Sequence, residues 1–369
     1  MHFNKHPLVP VAVCYIGGLI FARYFYIPLW LPVFLAVWCL VALASPVRQP
    51  AFFICVFILG YFFYRVSLHY SFDLSFHCRF LKENIRGIIL FNIPPGEEKD
   101  ILAGLFLGER FGISDNLMEI LRRTNTIHIL AISGLHVGCI GIMLLGVLRL
   151  VLVPRKAAAL LSLLGVVLYV SVVGWRAPTF RATVMFAVLV FGWVIDRPVD
   201  MINSLALAAL VILILTPQEL FSAGFQLSFV IVLGLLLAAP HIKGFWLKKA
   251  LWGSVTAWLG SVPLVAYYFG IISPIAILAN LVVVPGITVV IALGFASILA
   301  GNICLAFAGI MNAANYFLVY MLIMFLKFVY AVPGGYFYIK HFQGYMVWLA
   351  YAAMGGILYS LFCKKKVLC

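Results

Sequence analysis

Long apolar runs separated by short polar segments repeat along most of the chain. Runs of about 20 residues predict membrane-spanning helices, because backbone polar groups that lie in lipid must find their partners inside the segment. The pattern predicts an all-α polytopic membrane protein with about 12 transmembrane or re-entrant helices. The runs lie near residues 8–25, 28–45, 51–68, 128–152, 157–174, 178–195, 201–216, 222–240, 250–270, 274–300, 303–330 and 342–362.

The segment between the third and the fourth run is mixed in character and predicts interfacial amphipathic helices. Apolar positions between Phe76 and Ile88 recur at helical spacing, with basic residues on the opposite side. The chain is therefore predicted to have three parts. They are N-terminal transmembrane helices over 1–70, outer-side interfacial helices over 71–127 and a transmembrane core over 128–369.

Helix-capping signals divide the interfacial part further. The acidic residues that follow Gly96 suit the first turn of a helix that begins there. Ser114 is suited to cap another helix that ends at Arg123. Glu119 stands four residues before Arg123, where the two side chains are expected to pair.

Composition excludes a water-soluble protein and several kinds of enzyme. The chain is 65% hydrophobic and only 10% charged, whereas soluble domains carry about 25% charge. Most of the eight cysteines lie in apolar runs and have no zinc-site spacing, so they are interpreted as small buried side chains. There is no P-loop motif for ATP. We therefore expect no metal, no cofactor and no enzymatic activity.

The basic loops predict the orientation of the chain in a bacterial inner membrane. With the N-terminus in the cytoplasm, the 12 runs place 71–127 outside and the C-terminus, with its three lysines, inside. The predicted outer side nevertheless carries Arg110, Arg122 and Arg123. Such residues either reach lipid headgroups or form a basic outer mouth that attracts a polyanion.

Polar residues inside apolar runs are the candidate functional positions, because they are costly in lipid. At the start of the fourth run, Ser133 and His136 stand three apart and share a helical face. Gly134 and Gly138 form a pair of small residues that allows another helix or a substrate to approach closely. A simple helix-packing seam explains this segment equally well.

Four further residues share this property. Arg176 and Arg181 flank the start of a run, and Arg181 is expected to face a partner or a wet cavity. Gln226 enters the run that begins near residue 222. Asn280 precedes a Pro-Gly pair that predicts a broken or re-entrant helix, although a kinked helix is the alternative.

Several motifs resemble the signature of the ComEC family of competence proteins, and they occur in the family's order. They cover roughly residues 100–290 and are specific as a set. The motifs are Gly108-Glu-Arg110, Leu121-Arg-Arg-Thr124, His128 to Val137, Trp175-Arg-Ala-Pro178 with Arg181, Gly224-Phe-Gln-Leu-Ser228, Tyr267-Tyr-Phe-Gly270 and Leu278-Ala-Asn-Leu281.

The resemblance implies an inner-membrane channel that admits single-stranded DNA during natural transformation. It implies a separate DNA-delivery protein outside and cytoplasmic proteins that receive or pull the DNA. Carried over by motif, seven residues are expected to line or shape the path, and Trp175 is expected to stack on bases. The seven are Ser133, Gly134, His136, Arg176, Arg181, Gln226 and Asn280.

The chain departs from the family pattern in two ways. Only about 30 mixed residues stand where many members carry an OB-type barrel, too few for that fold. No metallo-β-lactamase-like domain is recognisable after the last run. The chain is interpreted as a minimal form, as part of a split system in which a separate chain supplies a nuclease, or as an excised core, and no nuclease activity is assigned to it.

Two alternative functions remain open from the residues. A rhomboid-like intramembrane serine hydrolase would use Ser133, but it needs a base within hydrogen-bond reach. A small-molecule or lipid carrier fits the helix breaks and small-residue seams, but it does not predict a basic outer surface.

Overall fold

The structure is a computed structural model that describes residues 6–25, 48–67, 79–109, 111–130, 134–175, 177–242 and 244–367. These parts of the chain form 14 α-helices and one two-stranded sheet. The helices are α1 Leu8–Tyr24, α2 Arg48–Ser67, α3 Arg79–Ile89, α4 Glu97–Leu107, α5 Asp115–Arg123, α6 Gly134–Leu150, α7 Arg155–Val173, α8 Ala177–Val194, α9 Met201–Leu215, α10 Ala223–Ala238, α11 Trp246–Phe269, α12 Ala276–Gly301, α13 Leu305–Tyr330 and α14 Gly344–Val367. Short 3₁₀ turns cover Ile127–Leu130, Pro217–Phe221 and Ala239–His241.

Eleven of the predicted apolar runs coincide with an α-helix, and the run 28–45 lies outside the described residues. Within the described chain, five helices (α7, α11 to α13, and α10 with its 3₁₀ extension) are long and apolar enough to cross a membrane. Five shorter apolar helices accompany them, in α1, α2, α6, α8 and α9. The all-α membrane class is therefore supported, while the count of about 12 crossings stays a prediction.

The interfacial part contains the helices that its capping signals predicted. Ser114 Oγ accepts a hydrogen bond from the Leu117 backbone N–H at 3.3 Å at the start of α5. Arg123 Nε donates to Glu119 Oε1 at 2.6 Å, which confirms the predicted pair. Both α3 and α5 bury one face, as amphipathic helices should. Helix α4 differs, because every residue from Ile101 to Leu107 is buried.

Two hydrophobic cores organise the described chain. The larger unites α3 to α7 with α12 and α13, and the smaller unites α1, α2 and α9 with the start of α10. A close crossing of α1 and α2 supports the smaller core, because a Cβ on Gly18 would lie 1.9 Å from the carbonyl oxygen of Phe57. Only glycine fits there.

The predicted break at Asn280 and Pro285 is wrong, since α12 continues through both residues to Gly301. A proline removes one backbone donor, and here buried residues on either side, Val283 and Ile287, keep the helix packed in the larger core. The kinked-helix alternative fits better than a re-entrant loop.

A short antiparallel sheet joins two loops beyond these helices. Strand β1 (Ile271–Ile272) follows α11, and β2 (Phe337–Tyr338) follows α13. The register pairs Ile271 with Tyr338 and Ile272 with Phe337.

Candidate functional site

Arg181 is a buried cation among the described apolar helices, and it lies one turn after the start of α8. It is 4% exposed, and its Nε and Nη1 atoms donate no hydrogen bond to any described residue. The guanidinium carbon lies 5.6 Å from the ring centroid of Phe229 and 6.0 Å from that of Phe225. The two rings offer cation–π attraction, yet a buried guanidinium with free donors retains a strong preference for an anion.

The starts of three helices meet around this arginine. At the start of α6, a Cβ on Gly134 would lie 3.8 Å from the Cβ of Ala182, the neighbour of Arg181 in α8. Phe225 belongs to the first turn of α10, whose cap is Ser222 Oγ, 3.1 Å from the Phe225 backbone nitrogen. Helix N-termini carry partial positive charge, so their convergence adds to the attraction of an anion.

An acidic and amide network borders Arg181 on the α10 side. Glu219 is the carboxylate that attracts Arg181 electrostatically, and its Oε2 accepts from Ser222 Oγ at 2.8 Å. Gln226 Nε2 donates to the Leu220 carbonyl oxygen at 2.9 Å, and its Oε1 accepts from Tyr268 Oη at 3.0 Å. Gln226 therefore holds the turn before α10 against α11, one residue after Phe225.

Of the predicted path residues, Gly134 lies near Ala182, the neighbour of Arg181, and Gln226 follows Phe225, whose ring lies 6.0 Å from the Arg181 guanidinium carbon. His136 is 1% exposed in α6, two residues after Gly134. Asn280 lies on α12, and its Oδ1 is buried without a hydrogen-bond partner among the described residues. Ser133 and Arg176 lie outside the described residues, as does Arg110 of the predicted mouth.

The close helix approach on α6 occurs one turn later than the Gly134–Gly138 pair suggested. No described atom lies within 4 Å of a Cβ built on Gly138. At Gly141 the Phe186 ring of α8 would lie 2.4 Å from such a Cβ. The space beside Gly138 is therefore open, and Gly141 forms the packing seam.

The two described arginines of the predicted mouth differ in their surroundings. Arg122 keeps 54% of its side chain exposed, 3.5 Å from Glu119. Arg123 is held more firmly, since it pairs with Glu119 and donates from Nη1 to Tyr330 Oη at 3.0 Å. The hydrogen bond from Arg123 lowers the pKa of Glu119, and the same pair raises the pKa of Arg123. Arg123 thus ties α5 to α13, while Arg122 remains available to solutes.

Sequence reasoning missed Glu219 and the two phenylalanines beneath Arg181. One signal was available for Glu219, because no Asp or Glu follows it in the chain. Trp175, which was expected to stack on bases, packs edge-on against Phe180 with ring centroids 5.8 Å apart.

These features define an all-α membrane protein with a buried cation where helix starts converge. Residues 105–365 match the sequence model of the competence protein family, well over half of the chain, so the chain belongs to this family. The resemblance to ComEC proteins is thereby confirmed.

The alignments with named relatives cover about half of this chain and about a quarter of each relative. ComE operon protein 3 of Bacillus subtilis strain 168 is 33% identical over 196 residues, 52% of this chain and 25% of that protein. Recombination protein 2 of Haemophilus influenzae is 28% identical over 206 residues, 50% of this chain and 26% of that protein. Competence protein ComA of Neisseria gonorrhoeae is 26% identical over 195 residues, 50% of this chain and 28% of that protein. No solved structure matches.

Proposed function

We propose that this protein is an inner-membrane channel through which single-stranded DNA reaches the cytoplasm during natural transformation. Membership of the competence family supports a role in DNA uptake. The observation that carries the channel role is Arg181, a buried cation with free donors at the meeting point of α6, α8 and α10. In a protein that takes up DNA, a passing DNA phosphate is the ligand that this site would bind.

The surroundings of Arg181 suit transient contact with a phosphate. Conduction requires binding that is favourable enough to admit a ligand and weak enough to release it. Nε and Nη1 of Arg181 can donate to phosphate oxygens, while Glu219 opposes permanent occupation by a second negative charge. In this proposal the chain conducts DNA and catalyses no reaction.

Packing of the apolar helices agrees with the proposed order of crossings, in which both termini lie on the same side, proposed to be the cytoplasm. The Leu8 backbone N–H donates to Asn203 Oδ1 at 3.2 Å, and Tyr15 Oη donates to the Leu213 carbonyl oxygen at 3.3 Å. Helices α1 and α9 therefore run in the same direction, as the proposed topology requires of them.

The proposed channel needs partners on both sides. A periplasmic DNA-delivery protein would present the strand, cytoplasmic DNA-receiving or motor proteins would draw it in, and a separate nuclease would remove the other strand. Membrane lipid would cover the exposed apolar faces of the helices.

Following fluorescent DNA in cells tests the proposal. A deletion strain is compared with strains that make wild-type protein, Arg181→Gln, Arg181→Lys or Arg149→Gln. Arg149 is an exposed arginine near the far end of α6, and its replacement is the matched control. We expect the deletion and Arg181→Gln strains to hold DNA in the periplasm, with partial recovery in Arg181→Lys and normal transfer in Arg149→Gln.

Two results would contradict the proposal at different levels. Normal arrival of DNA in the cytoplasm of the deletion strain would remove the DNA role altogether. Normal transfer by Arg181→Gln protein at wild-type abundance would retain the channel but place its path away from Arg181.

A further inference from the structure

A cluster of tyrosines surrounds Arg123 where α5, α13 and β2 meet. The Arg123 guanidinium carbon lies 5.4 Å from the Tyr330 ring centroid, 4.8 Å from that of Tyr336 and 5.6 Å from that of Tyr338. Tyr338 Oη donates to Glu119 Oε1 at 3.0 Å. The rings of Tyr330 and Tyr336 stack at 6.3 Å, and Tyr338 meets Tyr336 edge-on at 5.8 Å. These contacts fix the orientation of the Tyr338 ring.

Exposed rings and cations lie beside this tyrosine cluster. Tyr338 is 57% exposed and Phe337, on the opposite face of β2, is 55% exposed. Arg122 and Lys340 are also exposed, and Lys340 forms no ion pair with any described residue. Glu119 is the carboxylate that pairs with both Arg122 and Arg123, and Lys340 adds a further positive charge two residues after Tyr338.

The backbone here places the rings in water or at the interface. The two-residue strands β1 and β2 pair only with each other among the described elements, so their outer edges keep polar groups free. Such open edges are not tolerated in the hydrocarbon of a membrane. A nearby ion pair between Arg123 and Glu119 is likewise far less costly outside it.

We propose that this surface is a stacking platform for the bases of single-stranded DNA. Tyr338 supplies the face on which a base stacks, and Arg122 and Lys340 contact the flanking phosphates. Aromatic rings interleaved with cations are the pattern by which proteins bind single strands without sequence preference. The inference rests on the proposed function and adds a receiving site to it, on the side of the membrane where DNA arrives.

Equilibrium binding of a fluorescent 15-nucleotide oligo(dT) to the full chain in lipid nanodiscs tests the platform. Tyr338→Ala should raise Kd by about 5-fold to 150-fold, the range expected for loss of one stacked base. Phe337→Ala, on the opposite face of β2, should bind nearly as the wild type does. Tyr338→Phe keeps the ring and should bind nearly as the wild type does. The matched control is Phe307→Ala, because Phe307 is 60% exposed at the opposite end of α13.

The cations give an independent readout. Replacing Arg122 and Lys340 together by glutamine should reduce the slope of log Kd against log salt by about 1.4, since each phosphate contact on a single strand contributes about 0.7. An unchanged slope would overturn their assignment to phosphate.

The results separate this inference from the channel proposal. Wild-type binding that Tyr338→Ala retains would overturn the platform and leave the channel intact. A lipid-facing role for the rings would leave oligonucleotide binding unchanged and lower thermal stability in the nanodisc, which also overturns the platform. Absence of wild-type binding would overturn it too, and the channel would still be judged by DNA transfer in cells.

Discussion

Asn312 holds the end of α3 against the α12–α13 hairpin, and its removal should be costly. The side chain is 1% exposed. Its Nδ2 donates to the carbonyl oxygens of Ile88 at 2.7 Å and Phe91 at 3.1 Å, and its Oδ1 accepts from Ser297 Oγ at 2.7 Å. Both N–H groups and the oxygen of the amide are used, and the two N–H groups satisfy carbonyls where α3 ends.

The size of the effect follows from these contacts. A buried polar group that loses its partner costs about 1–3 kcal/mol. The bond to the Ile88 carbonyl is buried and should cost the full amount, whereas the one to Phe91 is partly buried and water can replace it in part. Ser297 Oγ keeps the Ala308 carbonyl oxygen at 3.5 Å as a weak alternative. We therefore expect Asn312→Ala to destabilise the protein by about 2–5 kcal/mol.

Unfolding by SDS in mixed micelles, followed by far-ultraviolet circular dichroism, measures this change. Asn302→Ala is the control, because Asn302 also donates to a backbone carbonyl in the hairpin, at 2.7 Å, but is exposed. That variant should lose less than about 0.5 kcal/mol. Hydrogen exchange should also show faster exchange at Leu90 and Phe91 in Asn312→Ala. Equal stability of the two variants would refute the argument that the buried amide holds α3.

Two further predictions concern helix packing and pH. Gly18→Ala should destabilise the α1–α2 pair by about 1–3 kcal/mol or more, because the new Cβ meets the Phe57 carbonyl. Gly17→Ala is the control, since its Cβ meets only ring atoms at 3.4 Å. In the same SDS assay that variant should be neutral or stabilising. Since folding lowers the pKa of Glu119 through its bond to Arg123, its contribution is present above the unfolded-state pKa of about 4.3 and disappears as pH falls through the folded value. Melting curves across acidic pH should show this loss in the wild type and not in Glu119→Gln, and equal pH profiles would contradict it.

Local sequence signals were sufficient for the helices and their ends. Eleven predicted apolar runs became helices because the transfer of each side chain into lipid or a core depends mainly on that side chain. Ser114 capped α5, and Glu119 paired with Arg123, because both interactions join residues three or four positions apart. Such contacts need no knowledge of the rest of the fold.

Signals that depend on a neighbouring helix were read less well. Pro285 suggested a broken helix, yet α12 is continuous because the surrounding core holds it. Gly138 suggested a close approach, yet the contact with α8 falls at Gly141. Whether a proline or glycine matters was decided by which atoms of another helix lie opposite it.

Patterns along the chain were enough to predict the membrane class, the positions of the helices and Arg181 as an unusual charge. The packed fold was needed to show that Arg181 lies over Phe225 and Phe229 near Glu219, and that Arg123 is enclosed by three tyrosines from beyond residue 329. The difference comes from the range of the interactions. Hydrophobic periodicity and capping act within a few residues along the chain, whereas a site is made by side chains that meet only after many helices have packed together.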